Sequence, residues 1–412
     1  MRIAVTGIGI VSPVGIGTDV AWQAVREGRS GIGEPTLFDP GDLPITVVGE
    51  VADFDPTEIA TPKEARRLDR NVLLAMKAAK EAVDEADLSG FDRERIGVLV
   101  GSAIGGFLTI LEQHDIMRER GWSRVAPHFF PATLVDTASG SIATMLDLQG
   151  PNYAPCSACA TGAHAIGEAA ELLRRGGADA VVAGGVEACL HPLLLAGFTT
   201  MKGLGTARPG EGVETASRPF DATRNGFVCS EGSTILVLEP LDKALERGAR
   251  VHGEIIGHGN SNDAFHVAAP HPESRGLIQM MSRGLASAGI APEEVAYINA
   301  HGTSTPQGDA AETFAIKTIF GDHAYDLAVS STKSLTGHQF GAAGAFETAM
   351  CLLACRDGVL PATFNYRDAD PECDLDYVVE GTREAPDLKV AMSNSIGLGG
   401  HNGCVLVRRY DA

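Results

Sequence analysis

Cys159-Ala160-Thr161-Gly162-Ala163-His164-Ala165-Ile166-Gly167 and His338-Gln339-Phe340-Gly341-Ala342-Ala343-Gly344-Ala345-Phe346 share one pattern: a reactive side chain, then a helical run of small residues. Glycine costs a helix roughly 1 kcal/mol relative to alanine. Such a helix persists where its small side chains let other elements approach closely. Two such runs, one in each half, predict two central buried helices in a duplicated chain. The halves divide near residue 250, at Arg247-Gly248-Ala249-Arg250, giving residues 1–250 and 251–412. No Pro/Ser-rich linker lies there, so the halves are expected to share one body.

Outward from these runs, short apolar segments alternate with longer helical ones, the pattern of an α/β fold. Strands are expected at Ile3–Ile10, Ile96–Gly101, Ala178–Gly184 and Thr234–Glu239, then at His252–Gly257, Val295–Asn299, Leu327–Ser331 and Cys404–Arg409. Many are apolar on both faces, as strands between helix layers must be. Helices are expected at Thr61–Glu85, Gly162–Arg175, Ser274–Ala288, Asp309–Phe320 and Gly341–Arg356.

The chain has 412 residues, 44% of them hydrophobic, which is ample for a large core. With 53 acidic and 33 basic side chains its formal charge is -20. That excludes nucleic acid as the main partner, because phosphate binding needs a basic face. An acidic protein could dock only on a local cationic patch, for which Lys63, Arg66, Arg67 and Arg70, or Arg118 and Arg120, are candidates; a solvated helix face is the plainer reading. No apolar run reaches the roughly 18 residues of a membrane span. The opening Met1–Gly9 segment reads as a strand, and eight cysteines suit a reducing compartment, so a cytoplasmic protein is expected.

Four segments carry candidate chemistry. Cys159 stands just ahead of a helix, where free N–H groups and the dipole lower a thiol pKa; the alternative is a small core hydrophobe. Cys156 and Cys159 are spaced as CxxC, but no second pair completes a zinc site. Asn299-Ala300-His301-Gly302-Thr303-Ser304-Thr305-Pro306-Gln307-Gly308-Asp309 follows a strand, where α/β folds place functional loops. His301 there could donate to a developing negative charge; a turn capped by Asp309 is the alternative. Ser330–His338 puts Lys333 and His338 in a stretch that otherwise reads as buried, with Glu347 available to pair with Lys333. Ser393–Gly403 is Gly-rich, so its backbone N–H groups can face a ligand. Gly7-Ile8-Gly9 does not complete a dinucleotide fingerprint, since Ser12 occupies the third glycine position.

In this order and at these distances, the segments resemble the β-ketoacyl-[acyl carrier protein] synthases of the Cys-His-His type. The resemblance runs nearly end to end, through Gly101–Gly106, Ser217–Asp221 and Asn225–Val228. It implies the thiolase fold, two pseudo-symmetric halves layered α-β-α-β-α around two central helices. It implies decarboxylative condensation of malonyl-[acyl carrier protein] with an acyl chain on Cys159. By matched position, His301 and His338 would stabilise the enolate, and Lys333 would organise the site near His338 with Glu347. The N–H groups of Cys159 and Leu398 would form the oxyanion hole. Thr303 and Thr305 would hold the pantetheine arm, and Ile104 and Phe198 would line the acyl pocket. No cofactor is implied, since phosphopantetheine arrives on the carrier. The partners implied are acyl carrier protein and a second subunit, identical or a related chain-length subunit, with Phe129–Ser141 near the contact.

One departure stands out. The family's loop reads Asn-Ser-Phe-Gly-Phe-Gly-Gly-Thr-Asn, and here Ile396, Leu398 and His401 replace the two Phe and the Thr. Altered acyl-chain selectivity is the expectation, toward polyketide or polyene chains. The main alternative is the ketosynthase subunit of a type II polyketide synthase. A thiolase would need a second cysteine in the closing loop, and a silent partner subunit would lack Cys159.

Overall fold

The computed structural model describes residues 1–411. Its centre is a mixed ten-stranded sheet. The first half contributes β1 (Ile3–Ser12), β2 (Ile96–Gly101), β3 (Ala180–Glu187) and β4 (Gly232–Pro240). The second contributes β5 (Gly253–Asn262), β6 (Tyr297–Asn299), β7 (Ala328–Ser330), β8 (Val390–Gly397) and β9 (His401–Arg408). Their spatial order is β7-β6-β8-β9-β5-β1-β4-β3-β2, and the two-residue strand Gly15–Ile16 pairs with β1.

The two halves repeat one topology. In the second, β6 lies parallel to β7 and β8, while β9 runs antiparallel to β8 and β5. In the first, β2 is parallel to β3, while β4 runs antiparallel to β3 and β1. The first half's counterpart of β7 has shrunk to one parallel bridge, Val98 to Asn152. The halves meet where β1 pairs antiparallel with β5 through Ile3, Ala4 and Val5. Along this order the second half contributes five strands, and the first four and the lone bridge.

The helices repeat too. In the first half α1 (Arg70–Ala86) packs on β1 and β4, and in the second α3 (Arg275–Ala288) packs on β5 and β9. Between the halves lie α2 (Thr161–Arg174) and α5 (Ala343–Asp357), each touching strands of both halves and each other. Their small residues explain how. A methyl group on Gly162 would sit 2.7 Å from the Ala345 nitrogen, and one on Gly344 would sit 2.8 Å from the Ala163 nitrogen. The crossing is reciprocal, and only backbones without side chains pass this closely.

Two helix boundaries differ from expectation. The run expected at Thr61–Glu85 is a short helix, Pro62–Ala65, followed by α1, because the Asp69 side chain accepts from the Asn71 N–H and starts a new helix. The helix expected from Asp309 is α4 (Pro306–Phe320), with proline in its first turn. Asp309 is therefore inside the helix and buried, and its carboxylate accepts from the Phe220 N–H at 2.8 Å. Among the described residues no helix is long and apolar enough to cross a membrane.

Candidate active site

Both central helices start from the same strained turn. Ala158–Ala160 forms a 3-10 turn ahead of α2, with Ala158 at φ 50. Phe340–Ala342 forms its counterpart ahead of α5, with Phe340 at φ 46. Positive φ is costly for residues with a side chain and survives where packing over-determines it. The first turn carries Cys159; the second follows His338. Gly397, at the end of β8, lies against the cysteine turn, where an added methyl group would stand 2.8 Å from the Ser157 carbonyl oxygen and 3.2 Å from the Cys159 nitrogen. That approach brings Leu398 to Cys159, where its backbone N–H pulls the thiol pKa down.

His301 arrives from the loop after β6. Glu312, buried on α4, accepts from the N–H groups of His301 and Gly302 at 2.9 Å each and from Asn394 Nδ2 at 3.1 Å. One carboxylate thus ties the His301 loop to β8. Cys159, His301, His338, Thr303, Thr305, Phe198 and Leu398 all line one cavity of about 490 Å3. The two imidazoles are perpendicular with centroids 5.2 Å apart. Phe227 meets His338 edge-on at 5.7 Å, Phe340 lies 5.0 Å from it, and Phe198 stacks on Phe340 at 5.6 Å. Thr303 and Thr305 hydroxyls are 3.1 Å apart. Ile104 does not line this cavity; it packs in the adjoining apolar cluster that includes Cys159 and Phe198.

Electrostatics divide the site into neutral and charged parts. Burial, followed by the positive charge of Lys333, holds His338 well below the ordinary histidine pKa; His301 is held down by burial, Lys333 and then His338. Both rings are therefore neutral, each with an N–H to donate. Lys333 and Glu347 form a buried, hydrogen-bonded ion pair. Burial lifts the Glu347 carboxyl to about 7 even against Lys333. Cys159 departs from the sequence expectation. Burial pushes its thiol up to about 12, outweighing the Leu398 N–H and Lys333, which pull it down. The helix terminus is present, but desolvation of the thiolate wins.

Several contributors were not singled out from sequence. Glu187, at the end of β3, accepts from Ser102 Oγ, from the N–H groups of Ala103 and Ile104, and from the Gly341 N–H. It joins the loop bearing Ile104 to the turn after His338. Glu312 and Asn394 do the same for His301. Glu187 and Glu312 sit in no recognisable motif, whereas Asn394, Phe227 and Phe340 lay within strings already quoted. Of the cationic candidates, Arg70 is engaged: it makes a bidentate pair with buried Glu231 at 2.9 and 2.7 Å. Lys63, Arg66, Arg67, Arg118 and Arg120 are exposed.

Residues 1–244 match the family description "Beta-ketoacyl synthase, N-terminal domain", and residues 252–367 match "Beta-ketoacyl synthase, C-terminal domain". The 3-oxoacyl-[acyl-carrier-protein] synthase 2 of Synechocystis is 44% identical over 411 residues, covering 99% of this chain and 98% of that relative. The protein of the same name from Staphylococcus aureus is 42% identical over 416 residues, covering 100% and 99%. Among solved structures, a β-ketoacyl synthase from Burkholderia phymatum superposes with a TM-score of 0.91 at 31% identity over 100% of both chains. A type II polyketide ketosynthase complexed with its acyl carrier protein superposes at 0.90, with 30% identity over 100% of this chain and 99% of that one.

Proposed function

The chain belongs to the β-ketoacyl synthase family, and on that premise we propose that Cys159, His301 and His338 carry out the condensation of malonyl-[acyl carrier protein] with a cysteine-bound acyl chain. The observation that carries this reading is one cavity holding a buried thiol beside two perpendicular, neutral imidazoles. Cys159 Sγ attacks the acyl thioester; the new C–S bond forms, the carrier's sulfur leaves, and the thiol proton goes with it. The N–H groups of Cys159 and Leu398 receive the tetrahedral oxyanion. Malonyl carrier then enters, its C–C bond breaks, and carbon dioxide departs. The electron pair moves onto the thioester oxygen, toward which His301 and His338 donate. The enolate carbon attacks the Cys159 thioester and expels the cysteine sulfur, which regains a proton. Charge that exists only transiently is where such donors accelerate a reaction.

Thr303 and Thr305 hold the pantetheine arm in this reading, and Phe198 and Ile104 border the acyl chain. The arm comes with the carrier, so no resident cofactor is assigned. Leu398, 41% exposed, covers the cysteine less fully than phenylalanine would. We assign to it a wider acceptance of unsaturated and partly reduced chains. Mixing the protein with malonyl carrier and a panel of saturated and polyene acyl carriers, read by intact mass, tests activity and selectivity together. β-Ketoacyl products with a polyene rate at or above the saturated one support both; no product from any chain would sink the assignment.

The acyl carrier protein docks on the exposed cations. Lys63, Arg66 and Arg67 flank Asp69, whose carboxylate accepts from the Thr109 N–H at 2.8 Å, at the start of the helix ending in Arg118 and Arg120. Arg118 and Arg120 stand at the far end of that helix, so Lys63, Arg66 and Arg67 are assigned as the local basic surface that a -20 chain needs for an acidic partner. Arg66→Glu with Arg67→Glu should raise KM for carrier-bound substrates at least about tenfold with kcat little changed; an unchanged KM at low salt would remove the patch. Exposed Phe130 and Leu134 favour burial against a second subunit, identical or chain-length-determining. Eight free cysteines favour the cytoplasm.

A further inference from the structure

Behind the nucleophile, outside the cavity, the buried Ser157 Oγ lies 2.6 Å from His164 Nδ1. The other ring nitrogen, His164 Nε2, lies 3.2 Å from the backbone carbonyl oxygen of Asn402 on β9. A carbonyl only accepts, so Nε2 carries the hydrogen. Burial holds His164 below the ordinary histidine pKa, which keeps it neutral. Its Nδ1 is then bare, and the Ser157 hydroxyl must donate to it. The hydrogen-bond inventory fixes both the tautomer and the direction of the chain: Ser157 O–H to His164, His164 N–H to Asn402.

The ends of this chain matter. Ser157 is the residue before strained Ala158, and its own N–H donates to Thr161 Oγ1 at 2.9 Å, so it clamps the turn that presents Cys159. Asn402 belongs to the hairpin that presents Leu398; its side chain donates to the Gly400 carbonyl at 3.2 Å and to Asp263 at 2.8 Å. β9 makes room for the ring, because a methyl group on Gly403 would stand 2.8 Å from His164 Cδ2. Among the described residues His164 is the side chain whose hydrogen bonds reach both the cysteine turn and the Gly-rich hairpin. Those two elements each supply one N–H to the acyl oxyanion.

We propose that Ser157 and His164 are positioning residues that set the spacing between the Cys159 and Leu398 N–H groups, and so control acyl transfer onto the enzyme. The proposal rests on the reading of Cys159 as nucleophile. It separates the two half-reactions: acyl transfer needs the N–H pair, whereas malonyl decarboxylation needs His301 and His338, whose backbones are held by Glu312 and by Val228 and Ser230 respectively and not by this chain.

The test measures both half-reactions in Ser157→Ala, His164→Phe, the double variant and Ser157→Thr. His164→Phe keeps a ring against Gly403 and removes both nitrogens. Acylation of Cys159, followed by intact mass, should fall roughly ten- to hundredfold in either single variant, as for an oxyanion donor displaced rather than deleted. Carbon dioxide release from malonyl carrier should stay within about twofold. The double variant should be no worse than the worse single one, since both break one chain, and Ser157→Thr, which keeps the hydroxyl, should restore acylation. Equal falls in both half-reactions, additive losses, or wild-type acylation in Ser157→Ala would each overturn the proposal. If the unsubstituted protein is never acylated at Cys159, the reading beneath it fails instead.

Discussion

Cys159→Ala will lose β-ketoacyl product by at least about a thousandfold, the scale on which removal of an essential nucleophile is felt, while still releasing carbon dioxide from malonyl carrier. The asymmetry follows from the site's construction. In the proposed mechanism the thiol forms the covalent intermediate, and Cys189, Cys229 and Cys156 are not placed to replace it: Cys189 and Cys229 are fully buried in the apolar cluster that contains Cys159, and exposed Cys156 has its Sγ directed to the Ala103 carbonyl. The decarboxylation donors stand on other elements and lose nothing when the sulfur is removed. Intact-mass detection of acyl-enzyme and product, with carbon dioxide measured in parallel, checks the expectation. Persisting product in the variant would move the nucleophile elsewhere; simultaneous loss of carbon dioxide release would mean that the variant had disturbed the imidazoles. The resting thiol is neutral because burial outweighs the charge of Lys333 and the Leu398 N–H.

Much of this was legible along the chain. Small residues at Gly162, Ala163, Gly344 and Ala345 announced two closely packed helices, and those four residues make the crossing. The strand after which His301 emerges was visible as an apolar run because it is buried on both faces. Less legible were the carboxylates. Glu187 and Glu312 accept from backbone N–H groups that only the fold brings near, and a backbone donor leaves no trace in residue identity. The Ser157–His164–Asn402 chain was hidden for the same reason, since its last acceptor is a carbonyl on a strand far along the sequence. The start of α4 was different: proline at 306 was the available sign, and Asp309, the more familiar cap, is buried within the helix instead. The direction of the thiol's pKa shift was not legible, because the helix terminus is a local feature of sequence, whereas burial is a property of the whole fold.

His301→Ala and His338→Ala should each lower malonyl decarboxylation by roughly a hundred- to a thousandfold, the usual consequence of deleting one preorganised donor to a developing oxyanion. Acylation of Cys159 should suffer much less, the reverse of the Ser157 and His164 variants. Both rings line the cavity and are perpendicular, so in the proposed mechanism they approach one oxygen from two directions. Their pH behaviour follows from the sign of their shifts. Burial and Lys333 lower both pKa values in the folded protein. Protonation therefore sets in below the ordinary histidine range, and decarboxylation should stay flat as pH falls through about 6.5, the unperturbed value. The two histidines affect stability with a definite sign: a depressed histidine pKa means that the unfolded chain binds protons first, so their contribution drains away as pH falls below about 6.5, while the raised carboxyl of Glu347 contributes in the opposite direction over the same range. The rate and the melting temperature, followed together from pH 8 to pH 5, separate these effects. A decarboxylation rate that halves near pH 6.5 while the melting temperature holds would show imidazoles titrating as exposed ones do. That would remove the neutral-donor basis of the mechanism, because a protonated pair beside Lys333 would place three positive charges in one buried site, which burial and mutual repulsion both oppose.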